Sequence, residues 1–350
     1  MPEHYGLAPG KTLNLNLTTP DGWRIGGWLV VADSFYQTHI MPSPPTQSIR
    51  DAQSQSSKHP DHYDPRERLS SILPLALRTH PTILYFHGNS MTRAFHLRTR
   101  LYSTLTSRLN ANVLVIDYRG FGDSEGTPSE KGLILDARTA WDWLIQMGAR
   151  PEDITILGES LGTGVSTGLV TGLEKEGTSP RSMVLLAPYS SITKLLETYN
   201  IGGKFPILGP LQSFPLLFNY IVRSVEHRFD SLSIINDIRC HITIIHAVND
   251  WHIPISHARA LFDSLLEPLL PVQPSDLSRS KDVAKARREE LVAVKEVKGV
   301  GTIQRFERGE SKGSVIMLET TWGGHKWIRE IEGVVDAIGW SVRIDTVARN

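Results

Sequence analysis

Short apolar runs alternate with longer helical segments from residue 81 onward. The predicted strands are residues 82–86, 113–116, 154–157, 183–187, 241–247 and 314–319. The predicted helices are residues 91–109, 127–147, 161–174, 230–238, 254–266 and 327–347. Continuous apolar strands that alternate with helices are typical of a mostly parallel central sheet with helices on both faces. The pattern therefore predicts an α/β fold.

The segments outside this alternation have other patterns. Residues 12–19 and 23–32 flank Pro20-Asp21-Gly22, a turn sequence that predicts a β-hairpin. Residues 41–71 are rich in Pro, Ser and Gln without periodicity, and residues 268–299 carry interleaved charges. Both predict surface insertions. All 350 residues are assigned to one domain.

One pentapeptide, Gly158-Glu159-Ser160-Leu161-Gly162, joins a predicted strand to a predicted helix. A sharp turn at this place exposes a nucleophilic serine, and glycines on either side remove side chains that would collide there. The pattern alone arises by chance in about one chain of this length in ten, given ordinary glycine frequencies. It therefore needs support from the rest of the chain.

A serine nucleophile needs a base and a group that orients the base, in the chain order serine, acid, histidine. Asp250 directly follows the strand at 241–247, at the end of the sheet where α/β proteins place their sites. The alternative for Asp250 is an N-cap or turn residue of the next helix. His325 lies in a predicted glycine-rich loop after the last strand, where the alternative is a structural histidine. The chain order favours catalytic roles for both.

The oxyanion of a tetrahedral intermediate needs backbone donors. We predict the N–H groups of Leu161, at a helix start, and of Asn89, in the loop after the strand at 82–86. In that loop, Gly88 allows close approach of the backbone, and His87 is predicted to hold the loop by a hydrogen bond. This loop supports the serine hypothesis independently of the pentapeptide.

Several motifs together resemble the type-twelve branch of the α/β-hydrolase domain-containing proteins. They are His87-Gly88-Asn89, the segments 117–124, 126–130 and 158–164, and the segment 250–254. The resemblance covers roughly residues 81–340, with a weaker similarity at 5–28. It implies the α/β-hydrolase fold and a serine lipase that acts on monoacylglycerols and lysophospholipids, notably lysophosphatidylserine. It implies Ser160, Asp250 and His325 as the catalytic triad, with Asn89 and Leu161 forming the oxyanion hole.

The chain departs from this branch in three respects. Glu159 stands where histidine is familiar before the serine, and the insertion at 268–299 is long. The branch members also carry an N-terminal membrane span, whereas the first residues here lack a basic region followed by an apolar run. We therefore expect neither a signal peptide nor an N-terminal anchor.

A cap is predicted at residues 189–228, where Pro and Gly are scattered among aromatic residues and leucines. Residues 201–222 are long enough to span a bilayer, but three prolines interrupt them, so we expect a cap instead of a membrane helix. The cap residues expected to contact substrate are Phe205, Leu208, Phe214, Leu217 and Phe218. The alternative is that they only form core.

Composition excludes several other classes of function. Lys plus Arg and Asp plus Glu both total 37, so the charge does not favour a nucleic-acid partner. Cys240 is the only cysteine, which excludes an intrachain disulfide, and the pair His59 and His62 has no further ligand nearby. We therefore expect neither metal nor cofactor. The expected location is intracellular, either cytoplasmic or peripheral on a membrane such as the endoplasmic reticulum, with contact through the cap.

These observations predict a serine hydrolase that cleaves carboxylic esters of lipid-like substrates, such as a monoacylglycerol or a lysophospholipid, through an acyl-enzyme. Ser160 would attack, His325 would carry the proton, and Asp250 would orient the imidazole. Two alternatives remain open. One is acyl-thioester or peptide hydrolysis by the same triad, and the other is a ligand-binding protein that kept the fold without the chemistry.

Overall fold

The computed structural model of the protein describes residues 1–41, 64–198, 200–201, 205–206, 225–271 and 277–345. Ten of its strands form one sheet in the order β1-β2-β4-β3-β5-β6-β9-β12-β11-β10. The strands are β1 Thr12–Thr18, β2 Arg24–Val30, β3 Thr82–Phe86, β4 Asn112–Ile116, β5 Ile154–Glu159, β6 Ser182–Leu186, β7 Asn200–Ile201, β8 Phe205–Pro206, β9 His241–Ala247, β10 Ala293–Val297, β11 Gly301–Phe306 and β12 Val315–Thr320. Strands β7 and β8 pair separately in an antiparallel ribbon.

The six strands from β4 to β12 across the centre of the sheet are parallel to their neighbours. The hairpin of β1 and β2 joins one edge in antiparallel fashion, as the turn sequence predicts. Strands β10 and β11 join the other edge, also antiparallel. The predicted α/β fold class, with a mostly parallel sheet, is confirmed.

Helices cover both faces of this sheet. They are α1 Asp33–His39, α2 Pro65–Thr79, α3 His96–Arg108, α4 Glu130–Gln146, α5 Leu161–Lys175, α6 Ile192–Thr198, α7 Ser231–Ile234, α8 Ser256–Leu266, α9 Leu277–Leu291, α10 Gly324–Trp327 and α11 Glu332–Arg343. Alternation along β3 shows the two faces: Leu84 and Phe86 belong to the core under α4 and α5, while Ile83 and Tyr85 belong to the core under α3 and α11. The parallel strands are therefore buried on both sides.

Two predicted helix starts are wrong. The helix expected at 91–109 begins at His96, because Ser90 and Met91 have φ angles of 153° and 57°, which no helix accepts. The helix expected from residue 127 begins at Glu130. Its N-cap is Ser129, whose hydroxyl accepts a hydrogen bond from the Gly132 N–H at 3.1 Å.

The predicted insertions and the closing helix also need correction. The end of the segment 41–71 forms the first half of α2, which Asp64 caps and which buries Leu69; residues 42–63 lie outside the described residues. The segment 268–299 contains α9 and the edge strand β10. The side chains of β10 are mostly exposed, so the strand has no alternating pattern to detect. The single helix expected at 327–347 is instead a 3₁₀ turn at Ile328–Glu330, which follows α10, and the helix α11, which ends at Arg343.

His257 of α8 forms hydrogen bonds to the first residues of the predicted cap. Its Nδ1 accepts a hydrogen bond from the Ser190 hydroxyl at 2.9 Å, and its Nε2 lies 2.8 Å from the hydroxyl of Thr198 in α6. Burial is the main cause that lowers the pKa of His257 to about 4. Between about pH 6.5 and pH 4 the imidazole therefore stays neutral in the folded protein, whereas the same group in the unfolded chain becomes protonated.

We expect the free energy of unfolding to fall between about pH 6.5 and pH 4 because the unfolded chain binds this proton first, at up to about 1.4 kcal/mol per pH unit. His257→Gln should shrink the loss of stability between pH 7 and pH 5 by up to about 2 kcal/mol, measured by denaturant unfolding. His96→Gln, at an exposed histidine, is the control and should not change the pH dependence. Equal pH dependence in all three proteins would contradict this role of His257.

Candidate active site

Ser160 occupies the sharp turn between β5 and α5. Its φ of 51° and ψ of −117° put a non-glycine residue in the left-handed half of conformational space. A Cβ atom on Gly158 would lie 2.4 Å from the Gly162 carbonyl oxygen, and one on Gly162 would lie 2.0 Å from the Phe86 carbonyl oxygen. Both glycines are therefore required by the close approach of backbone, as the pentapeptide predicts.

The structure brings Ser160, Asp250 and His325 into one hydrogen-bonded chain. His325 Nε2 lies 3.0 Å from Ser160 Oγ, and His325 Nδ1 lies 2.8 Å from Asp250 Oδ2. Because the carboxylate can only accept, Nδ1 carries the proton and Nε2 faces the serine hydroxyl with its lone pair. His325 is carried by the short helix α10, where the sequence predicts a loop.

Both carboxylate oxygens of Asp250 accept hydrogen bonds. Its Oδ1 accepts hydrogen bonds from the N–H groups of His252, at 2.8 Å, and Ile253, at 3.0 Å. It therefore caps its own turn, while the N-cap of α8 is Ile255, which makes no side-chain cap bond. Of the alternatives for Asp250, the N-cap of the next helix is wrong, whereas the turn before that helix is confirmed, in addition to the contact with His325.

A second histidine supports Asp250, and the sequence analysis missed it. His246 Nε2 lies 2.9 Å from the Ile253 carbonyl oxygen and 3.4 Å from Asp250 Oδ2. Burial alone would raise the pKa of the Asp250 carboxyl, but hydrogen bonds from His246 and His325 hold that pKa well below its usual range. A histidine near the carboxyl end of a strand that is predicted to be buried was the available signal.

The loop after β3 brings Asn89 beside Ser160. Asn89, Leu161 and Ser160 line the same cavity, and a Cβ on Gly88 would lie 3.2 Å from Ser160 Cβ. Within the described part of the chain, neither the Asn89 N–H nor the Leu161 N–H donates a hydrogen bond. Both donors are therefore available to a ligand at Ser160.

Arg98 clamps this loop from α3. Its guanidinium donates to the carbonyl oxygens of Gly88 at 3.1 Å, Ser90 at 2.8 Å and Thr92 at 2.9 Å. His87 Nδ1 lies 2.9 Å from the same Gly88 oxygen, as its predicted holding role requires. The Gly88 carbonyl and the Asn89 N–H belong to one planar peptide unit, so these bonds also fix the direction of that N–H.

Glu159 forms a buried ion pair with Arg329. The two side chains are 4% and 7% exposed, and the Tyr85 hydroxyl donates to the second carboxylate oxygen of Glu159. Glu159 directly precedes Ser160, and Arg329 follows His325 by four residues. The pair therefore connects the backbone that carries the serine to the segment that carries the histidine.

Arg329→Met should lower the free energy of unfolding by about 3 kcal/mol because it leaves the Glu159 carboxylate buried without its partner. The double variant Glu159→Gln/Arg329→Met should recover a large part of that loss because no uncompensated charge remains. Denaturant unfolding at neutral pH measures both. Arg100→Met, at an exposed position of α3, is the control. The account would be contradicted if the losses in the free energy of unfolding simply added in the double variant. It would also be contradicted if Arg329→Met lost no more stability than Arg100→Met.

The cavity above Ser160 has a volume of about 470 Å³. Its lining is apolar at Phe95, Leu97, Leu161, Tyr189, Ile192 and Leu195, and charged at Arg98, Glu159, Lys326 and Arg329. Of the predicted substrate contacts, Phe205 belongs to the ribbon strand β8, and its side chain lies outside the described residues. Leu208, Phe214, Leu217 and Phe218 lie wholly outside them. Among the residues that the structure describes, no helix combines the length and apolar character needed to cross a membrane.

Comparisons with known proteins agree with this geometry. A family model described as the alpha/beta hydrolase fold matches residues 83–205. A crystal structure of an alpha-beta hydrolase from Vibrio vulnificus has a TM-score of 0.50 and 16% identity, covering 80% of this chain and 79% of that one. The chain therefore has the α/β-hydrolase fold.

Similar proteins of known name indicate to which branch of the α/β-hydrolase fold the sequence is related. The chain is 33% identical over 262 residues to the lysophosphatidylserine lipase ABHD12 of Danio rerio, covering 75% of this chain and 60% of that protein. It is 36% identical over 186 residues to the Bos taurus protein of the same name, covering 53% of this chain and 45% of that protein. It is 30% identical to Protein ABHD12B of Homo sapiens, covering 52% and 49%. The chain spans 45% to 60% of the length of these relatives. Within the α/β-hydrolase fold its sequence is related to the type-twelve branch, so the predicted resemblance is confirmed.

Proposed function

We propose that the protein is a serine hydrolase that cleaves carboxylic esters through an acyl-enzyme. The observation that carries this proposal is the hydrogen-bonded chain from Ser160 through His325 to Asp250, beside two backbone N–H groups without partners among the described residues. Ser160 Oγ attacks the ester carbonyl while His325 Nε2 takes its proton, and Asp250 stabilises the imidazolium.

The collapse of the tetrahedral intermediate completes the first half of the reaction. The N–H groups of Asn89 and Leu161 stabilise the oxyanion, and His325 returns its proton to the leaving alcohol. Water then repeats the sequence on the acyl-enzyme, with His325 as base and Ser160 as leaving group. Every proton moves through one nitrogen atom, which the structure holds 3.0 Å from the serine oxygen.

The proposed substrates are lysophospholipids and monoacylglycerols. The relatives named lysophosphatidylserine lipases support this class, and so does a cavity with an apolar lining for an acyl chain. Arg329 is neutralised by Glu159, so the exposed Lys326 is the cation at the cavity that favours an anionic head group over a neutral one. Contact of the cap with a membrane remains a prediction from the sequence of residues 189–228, as does the peripheral location.

A substrate panel tests the proposal against its alternatives. Release of fatty acid from lysophosphatidylserine, lysophosphatidylcholine and monoacylglycerol is compared with the hydrolysis of an acyl-thioester and of a peptide, using purified protein. We expect the largest kcat/KM for one of the three lipid esters. A larger value for the thioester or the peptide would favour those reactions. No turnover of any substrate would favour a ligand-binding protein without activity.

A further inference from the structure

Three exposed tryptophans lie on the loop 248–253, which carries the acid, and on the segment 321–327, which includes α10 and carries the histidine. Trp251 is 64% exposed, Trp322 is 50% exposed, and Trp327 is 55% exposed. Trp251 directly follows Asp250, and the other two flank His325. None of the three contributes to the lining of the cavity. Large apolar residues that stay exposed together on a surface mark a binding site for an apolar partner.

The two segments form one continuous surface at the carboxyl ends of β9 and β12. The Val248 N–H donates to the Thr320 carbonyl oxygen at 2.8 Å, and the Gly324 N–H donates to Asn249 Oδ1 at 2.9 Å. Val248 is itself 51% exposed. This surface borders the cavity, because His325 and Lys326 of the segment 321–327 line it.

The charge of this surface favours an anionic partner. Residues 248–253, 298–300 and 321–327 contain one acid, Asp250, which is buried and bonded to His325. They also contain two exposed cations, Lys298 and Lys326. The Lys298 backbone is close to Trp322, since the Trp322 indole nitrogen donates to the carbonyl oxygen of the next residue, Gly299, at 3.4 Å. Exposed indoles with interspersed lysines match the boundary between lipid head groups and acyl chains.

We propose that Trp251, Trp322 and Trp327 dock the protein on a phospholipid bilayer that contains anionic lipid, with the cavity opening beside the lipid. The surface borders the cavity that Ser160 lines, and a bilayer bound there presents amphiphiles next to that cavity. Docking uses the segments that carry Asp250 and His325, and it does not need the predicted cap, residues 189–228, on which the membrane contact predicted from sequence depends.

The full chain carrying Ser160→Ala tests docking without hydrolysis of the lipid, so that failure of docking is distinct from failure of the proposed activity. Co-sedimentation measures partitioning into vesicles of phosphatidylcholine with and without phosphatidylserine. We expect binding to the mixed vesicles that weakens at high salt, since screening reduces attraction to the anionic surface. Replacing all three tryptophans by serine should lower the partition coefficient by at least about tenfold.

A matched control replaces two exposed tryptophans elsewhere, with Trp23→Ser in the hairpin turn and Trp340→Ser on α11. This control should bind like the parent. The triple variant with Ser160 intact should still hydrolyse a short soluble ester, which shows that it is folded. Equal partitioning of the triple variant and the parent would overturn the proposal. So would equal weakening in the control, or a self-associated parent that the triple change converts to monomer without any vesicle binding.

Discussion

Replacement of Ser160 by alanine should lower kcat for a short p-nitrophenyl ester by at least about 10⁴-fold, because no other group replaces the attacking oxygen. Binding of the ester should change little, since the cavity and the two backbone donors remain. Steady-state kinetics at neutral pH, with substrate well above and well below KM, separates these two effects. The thermal midpoint should stay close to that of the parent.

Ser166→Ala is a matched control for this variant. Ser166 is a buried serine of α5, and its hydroxyl has no hydrogen-bond partner among the described residues. Its removal should leave kcat within about twofold, because no hydrogen bond is lost. Substantial ester hydrolysis by Ser160→Ala would place the nucleophile elsewhere in the protein.

Asp250→Asn should lower kcat by about 10⁴-fold while KM changes much less. An asparagine fits the space but brings an NH₂ group, which meets either the His325 Nδ1–H or the N–H groups of His252 and Ile253. The two backbone N–H groups can only donate, so the amide oxygen takes their side and the NH₂ group faces His325 Nδ1. His325 is then driven towards the tautomer that cannot accept the proton of Ser160. The steady-state kinetics of the purified variant measures the effect.

The same substitution has a pH signature in stability. The folded pKa of Asp250 is lowered, so its carboxylate stabilises the protein above the ordinary pKa of aspartate, near 4, and this contribution is lost as the pH falls further. We expect the acid-induced loss of stability to be shallower in Asp250→Asn. Asp263→Asn, on the surface of α8, serves as control. Asp250→Asn kinetics equal to those of Asp263→Asn would contradict the orienting role.

Features encoded by neighbouring residues could be predicted from the sequence. The elbow at Ser160 follows from two glycines around a serine, and the order of Asp250 and His325 follows from the order of strands in an α/β sheet. The loop of Asn89 was found in the same way, since it follows a recognisable buried strand. The predicted sheet lacked only the exposed edge strand β10 and its neighbour β11, whose side chains do not alternate strictly between buried and exposed.

Features that depend on contacts between residues far apart in the chain could not be predicted from the sequence. Arg329 looks like an ordinary surface residue in the sequence, and only the packing of α10 against the sheet places it on Glu159. Arg98 likewise lies on α3 and reaches backward to the loop at Gly88. These buried cations have no local signature, because their partners are far along the chain or are backbone carbonyl groups. His246 supports Asp250 from within a strand that otherwise indicates only burial.

Reaction of the protein with a fluorophosphonate probe, followed by mass spectrometry of its peptides, tests the central claim most directly. The probe reacts with an activated serine and forms a stable phosphonyl ester on its oxygen. We expect one adduct per chain on Ser160, and markedly slower labelling in Asp250→Asn. An unlabelled Ser160 in protein that hydrolyses esters, or an adduct on a different residue, would contradict the account.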